Sequence, residues 1–141
     1  ALEDVEPFGM TASPNRARPG ARPVSSMTPT LVVQRGQPVL ALGGSGGPTI
    51  ATNVTQLTLA ALVFGQEPAE AVAAPRIYIP TRGKTLLVEE GTSAEHIADL
   101  EWRGEIVGTM PFKTTAVQML RFDRGTQAGA DPRKHGAAKV E

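Results

Sequence analysis

The sequence predicts an α+β fold whose strands are joined mostly by short connections and are therefore chiefly antiparallel. Three observations carry that expectation. Two apolar runs, Leu31 to Val33 and Val39 to Leu42, flank Gln34-Arg-Gly-Gln-Pro38, a hairpin connection with Gly36 in its turn. Ile50, Val54, Leu57 and Ala61 recur at helical spacing within a run from Thr49 to Phe64. Downstream, strand-like runs outnumber helical ones and lack the strand–helix alternation that a parallel sheet requires.

Taken in order, residues 1–23 hold Pro7, Pro14, Pro19 and Pro23 with Arg16, Arg18 and Arg22, and read as an irregular surface loop with solvated arginines. Ser25 and Ser26 follow in a proline-bounded turn, Arg22-Pro-Val-Ser-Ser-Met-Thr-Pro-Thr30. After the hairpin comes a glycine-rich turn, Gly43-Gly-Ser-Gly-Gly-Pro-Thr-Ile50. Pro48 at the first helical position, with Gly47 as N-cap, is a standard helix start. In the helix, Thr52, Asn53, Thr55 and Gln56 are polar, whereas Leu59 to Val63 is apolar on every side. That change predicts a helix sliding into the interior and stopping at Gly65. Pro68 to Ala73 reads as a short helix ended by Pro75. Ile77 to Ile79 and Leu86 to Val88 read as strands around a turn at Arg82-Gly83. Ser93 caps a helix through Arg103, closed by Gly104. Glu105 to Val107, Ala116 to Phe122 and Gln127 to Ala130 are three more strands, the second expected to have both faces partly covered. Trp102 and Tyr78 are read as packing residues.

Composition excludes several functions. Among 141 residues, 40% are hydrophobic and 20% charged, with fourteen basic and fourteen acidic side chains. The cancelled charge offers no attraction for nucleic acid or an anionic membrane. The absence of cysteine removes disulfides and thiolate chemistry, and the two distant histidines, His96 and His135, argue against a metal centre. Both histidines read as solvated. The longest strongly apolar run, Leu57 to Phe64, is too short to span a bilayer. The chain opens on Ala-Leu-Glu-Asp-Val-Glu-Pro without an initiator methionine or a signal-peptide pattern, so an upstream part is expected.

The serine turn and the glycine turn together suggest an acyl-transfer site. Hydroxyls hold a polar substrate, while the N–H groups of Gly46 and Gly47 lie at the positive end of a helix and can approach a reacting carbonyl closely. Such donors contribute roughly 2.7–4 kcal/mol to acyl-transfer transition states. An ordinary strand-to-helix turn, and serines that merely close a turn, explain the same residues. Gly43-Gly-Ser-Gly-Gly47 also matches G-x-S-x-G, which would make Ser45 a nucleophile with Asp123 or Asp131 and His135 as partners. The short lead-in and the missing strand–helix rhythm count against it. Phosphate-binding glycine motifs do not match. Asp131-Pro-Arg133 reads as an internal ion pair fixing the C-terminal turn. Thr114 and Thr115 would act as nucleophiles only if cleavage exposed one, so the site lacks a convincing nucleophile.

Arg22-Pro-Val-Ser-Ser-Met-Thr-Pro-Thr30, Gly46-Gly-Pro-Thr-Ile50, Ala74-Pro-Arg-Ile77 and Ala130-Asp-Pro-Arg133 with Gly136-Ala137 resemble, in this order, the γ-glutamyltransferases (γ-glutamyltranspeptidases). The resemblance runs from Leu2 to Ala138. It implies an N-terminal-nucleophile hydrolase with an αββα sandwich, made as a precursor that cleaves itself to free a threonine. That threonine attacks γ-glutamyl amides such as glutathione, and the acyl group passes to water, an amino acid or a peptide. Residues 1–141 are then the C-terminal, larger part of the small subunit, partnered by the upstream chain and large subunit and inactive without the nucleophile. By the same resemblance Ser25 and Ser26 bind the substrate's α-carboxylate, and Gly46 and Gly47 form the oxyanion hole. Asp4, in Leu2-Glu-Asp-Val5 where the family has Met-Asp-Asp-Phe, pairs with the α-ammonium. No cofactor or metal is implied, and the family's setting is periplasmic or extracellular. Ser45 stands where many members have proline, and His135 where an acid is frequent. A serine hydrolase at Ser45 and a non-catalytic binding module are the other readings.

Overall fold

A computed structural model describes residues 18–22, 25–80, 83–111 and 114–140. Strand β1 (Thr30–Gln34) and β2 (Gln37–Ser45) form the expected hairpin. Its two-residue turn places Arg35 at φ 52 and Gly36 at φ 78, the left-handed pair whose twist matches flanking strands. The register shifts between Val32 and Val33. The rest of the chain runs through α1 (Ile50–Leu62), α2 (Pro68–Ala73), β3 (Ile77–Tyr78), β4 (Thr85–Val88), α3 (Ala94–Trp102), β5 (Ile106–Thr109), β6 (Ala116–Arg121) and β7 (Gln127–Gly129). One sheet has the order β1-β2-β6-β7, all antiparallel, and a second has the order β3-β4-β5.

One pairing departs from the antiparallel expectation: β4 and β5 are parallel. The connection between them contains α3, long enough to return the chain to the same end of the sheet. Ser93 caps α3 as expected, its Oγ accepting the His96 N–H at 3.2 Å.

Strand alternation divides the four-stranded sheet into two unlike faces. Leu40, Leu42, Val117 and Met119 point to one face, where Ile50, Val54, Leu57 and Ala61 of α1 and Ala71 and Val72 of α2 cover them. α2 lies so close that a Cβ on Gly129 would come within 2.6 Å of the Pro68 carbonyl carbon. The other face carries Leu31, Ala41, Gly43, Gln118, Leu120 and Ala128. β6 is therefore covered on one face and exposed at Gln118 and Leu120, not covered on both.

Two further expectations are corrected. The C-terminal end of α1 does not sink into the interior: Leu59, Leu62, Val63 and Phe64 are exposed. The helical arc facing the sheet ends at Ala61, and the next turn points outward. Trp102 is 81% exposed rather than packed, whereas Tyr78 is buried as expected.

Candidate active site

The glycine turn leaves β2 at Ser45 and enters a 3-10 turn over Gly47–Thr49, one residue ahead of the expected helix start, before α1 begins at Ile50. Gly46 at φ 147 and Gly47 at φ 78 adopt backbone conformations that side chains disfavour. The first N–H groups of a helix lack intrahelical acceptors and are available to a ligand.

The serine turn is joined to this glycine turn. Ser26 Oγ donates to the Gly47 carbonyl at 2.7 Å. Ser25 Oγ instead accepts the Met27 N–H at 3.1 Å, which leaves its own proton free to donate. Asp4 lies outside the described residues.

Beneath the turn is a polar layer that the sequence did not reveal. Thr49 Oγ1 and Thr115 Oγ1 are 2.6 Å apart, and Thr49 Oγ1 also accepts the Thr115 N–H at 3.2 Å. The Thr115 carbonyl accepts from Arg76 Nη1 at 3.1 Å and from buried Asn53 Nδ2 at 3.4 Å. Asn53 thus belongs to the buried side of α1, not to its polar side. Arg76 pairs with Asp131 at 2.9 Å, and both side chains are nearly inaccessible. Arg133 pairs with Asp131 at 3.1 Å, the expected ion pair, and with Glu89. Glu89 also holds the hydroxyl of Thr114 and accepts the Arg76 N–H at 3.0 Å. Two acids and two arginines are thereby closed into one network.

Burial by itself would raise the Glu89 carboxyl. The Arg133 and Thr114 bonds, the Arg133 charge and the Arg76 N–H outweigh it and bring the carboxyl down to about 2. Asp131 is likewise lowered against its own burial, first by the N–H groups of Arg133 and Val117 and then by the two guanidinium groups. Arg76 is lowered by burial and by the charge of Arg133, with Asp131 and Glu89 opposing. The only sequence signal for this network was the Ala-Pro-Arg and Asp-Pro-Arg pieces. Nothing local marked Glu89.

Ser45 lies at the end of an antiparallel strand, and Lys134 Nζ donates to its Oγ at 2.7 Å. Both Asp131 oxygens are taken by Arg76, Arg133 and Val117, and Asp123 pairs with Arg121 at 2.6 Å. The structure therefore does not assemble these groups as a serine–histidine–aspartate triad. An open groove of about 670 Å³ runs over Leu31, Ala41, Gln118, Leu120, Ala128 and Ala137, and includes none of Ser25, Ser26, Gly46 or Gly47. No group of three or more His, Cys, Asp or Glu able to hold a metal occurs among the described residues. None of the described helices is long and apolar enough to cross a membrane.

A family model described as gamma-glutamyltranspeptidase matches residues 2–141. The glutathione hydrolase proenzyme of Bacillus subtilis is 37% identical over 127 residues, covering 88% of this chain and 22% of the relative. The Escherichia coli glutathione hydrolase proenzyme is 35% identical, covering 84% and 21%. The chain thus spans about a fifth of the length of these curated relatives. Among solved structures, gamma-glutamyltranspeptidase from Pseudomonas nitroreducens superposes with a TM-score of 0.77 at 25% identity, covering 92% of this chain and 69% of that one. The Helicobacter pylori gamma-glutamyltranspeptidase gives 0.73 at 30% identity, covering 89% and 69%. These are N-terminal-nucleophile hydrolases, and the helices, antiparallel sheet and glycine turn described here follow the same α+β architecture. By sequence over nearly its whole length and by fold, the chain belongs to the γ-glutamyltranspeptidase family.

Proposed function

We propose that this chain supplies the substrate-holding and oxyanion-stabilising part of an enzyme that cleaves γ-glutamyl amides, glutathione among them. The nucleophile, a threonine by family resemblance, comes from chain upstream. It adds to the γ-carbonyl and the amine leaves with a proton. The γ-glutamyl ester so formed then passes its acyl group to water, an amino acid or a peptide. Gly46 and Gly47 donate N–H bonds to the oxyanion, Ser25 and Ser26 hold the α-carboxylate, and Asp4 pairs with the α-ammonium.

The observation that carries this reading is the bond from Ser26 to the Gly47 carbonyl. It ties the carboxylate-binding turn to the oxyanion turn, so one substrate can reach both at fixed separation. The two serines are not equivalent. Ser25 has a proton to give at once, whereas Ser26 must turn its proton away from Gly47 first.

In the full-length enzyme, Ser25→Ala with Ser26→Ala is expected to raise KM about tenfold or more for donors bearing an α-carboxylate, since hydrogen bonds to charged groups contribute roughly 1.5–3 kcal/mol. Steady-state kinetics on paired donors with and without that group decide the matter. Equal losses for both donors would sink the assignment.

A further inference from the structure

The glycine turn rests on one residue, Thr115, that approaches it from the segment just ahead of β6. A Cβ on Gly46 would lie 2.8 Å from the Thr115 Cα and 2.9 Å from its Oγ1. A Cβ on Gly44, on the same side of the sheet as Val117, would lie 2.7 Å from the Thr115 Cγ2. Thr115 therefore fills the space under both glycines, methyl toward one and hydroxyl toward the other. Its hydroxyl then meets that of Thr49, two residues past Gly47, at 2.6 Å, and its N–H meets the same oxygen. The segment from Gly44 to Thr49 is held from below at both ends by one residue.

Thr115 is itself held firmly. Arg76 and Asn53 take its carbonyl, and its neighbour Thr114 is fixed to Glu89 by both hydroxyl and N–H. Thr115 and Thr49 are both almost wholly inaccessible. A hydroxyl pair in such a place is strong, and it is costly to half-remove.

We propose that Thr115 is a positioning residue for the oxyanion donors, holding Gly46 and Gly47 in the conformation that aims their N–H groups at the reacting carbonyl. This rests on the reading of those glycines as the oxyanion hole. Preorganised donors act because they need no rearrangement when charge develops. A loosened turn would therefore bind substrate as before and stabilise the transition state less.

The test uses the full-length mature enzyme. Thr115→Val keeps the volume and deletes the hydroxyl, and is expected to lower kcat about tenfold or more while KM stays within about twofold. Thr115→Ser keeps the hydroxyl and should recover most of that loss. A γ-boronic acid analogue of the γ-glutamyl group, which forms a tetrahedral anion on the nucleophile, should bind T115V more weakly by the factor lost from kcat. Planar glutamate should bind unchanged. Unaltered boronate affinity, or a rise in KM that accounts for the whole loss, overturns the proposal. Thr49→Val removes the same hydroxyl pair from the helix side, must give the same split, and carries the test should T115V fail to fold. Gly46→Ala serves as the separate control. Full kcat and boronate affinity in that variant would remove the oxyanion reading itself, whatever T115V does.

Discussion

The two faces of the four-stranded sheet are built from alternate residues of the same strands, yet they are finished differently. On the helix face, Leu40, Leu42, Val117 and Met119 are sealed by α1 and α2, and the polar end of that layer is closed by Thr49, Thr115 and the Arg76–Asp131–Arg133–Glu89 network. On the other face, Leu31 and Leu120 are exposed beside the small residues Ala41, Gly43 and Ala128. The glycine turn sits where the two faces meet. Gly44 looks down on Thr115, while Ser45 looks the other way and is met by Lys134. The turn is thus packed against the closed face at Thr115, while Ser45, Gly46, Gly47 and Pro48 are exposed. Packing fixes the turn from one side and leaves its residues accessible on the other, a difference that the alternation of a single strand imposes.

The largest effect expected on this contrast comes from the network. Asp131→Ala leaves buried Arg76 without its carboxylate partner and takes one of two carboxylates from half-buried Arg133, and should cost about 3–5 kcal/mol in urea unfolding. A loss below about 1 kcal/mol would mean the network does not brace the closed face.

The faces themselves are compared by truncating neighbours on β6. In the 141-residue chain, Met119→Ala, from the sealed face, should cost about 2–5 kcal/mol, and Leu120→Ala, from the open face, no more than about 0.5 kcal/mol. Similar costs for both would erase the distinction. A cost at Leu120 that grows in the longer protein would sharpen it, showing that the open face is covered there.

Acid gives a graded version of the first test. The Glu89 carboxyl is depressed in the folded chain, so its contribution is fully present above the ordinary carboxylate value of 4.5 and is lost as pH falls toward about 2. Asp131 shifts in the same direction and adds to the same limb. Wild type should lose about 3 kcal/mol more than Glu89→Gln across that window, read from urea midpoints at successive pH values. Parallel pH profiles for the two proteins would show that Glu89 carries no such linkage.

Much of the fold was legible in the sequence because it is decided within a few residues. Gly36 takes the positive φ of a short hairpin connection at no steric cost, Ser93 caps α3 through the N–H of His96 three residues on, and the spacing of Ile50, Val54, Leu57 and Ala61 marks the buried arc of α1. The serine and glycine turns were legible as motifs for the same reason. What only the tertiary structure decided lies between residues far apart in the chain. Thr49 meets Thr115 across 66 positions, and Glu89 meets Arg133 across 44. No local periodicity encodes which buried hydroxyl or carboxylate will face which partner. That choice follows from how β6 inserts beside β2 and how the last segment returns over α2. The exposed end of α1 and the outward Trp102 were decided in the same way. An apolar residue is buried only where another element arrives to cover it.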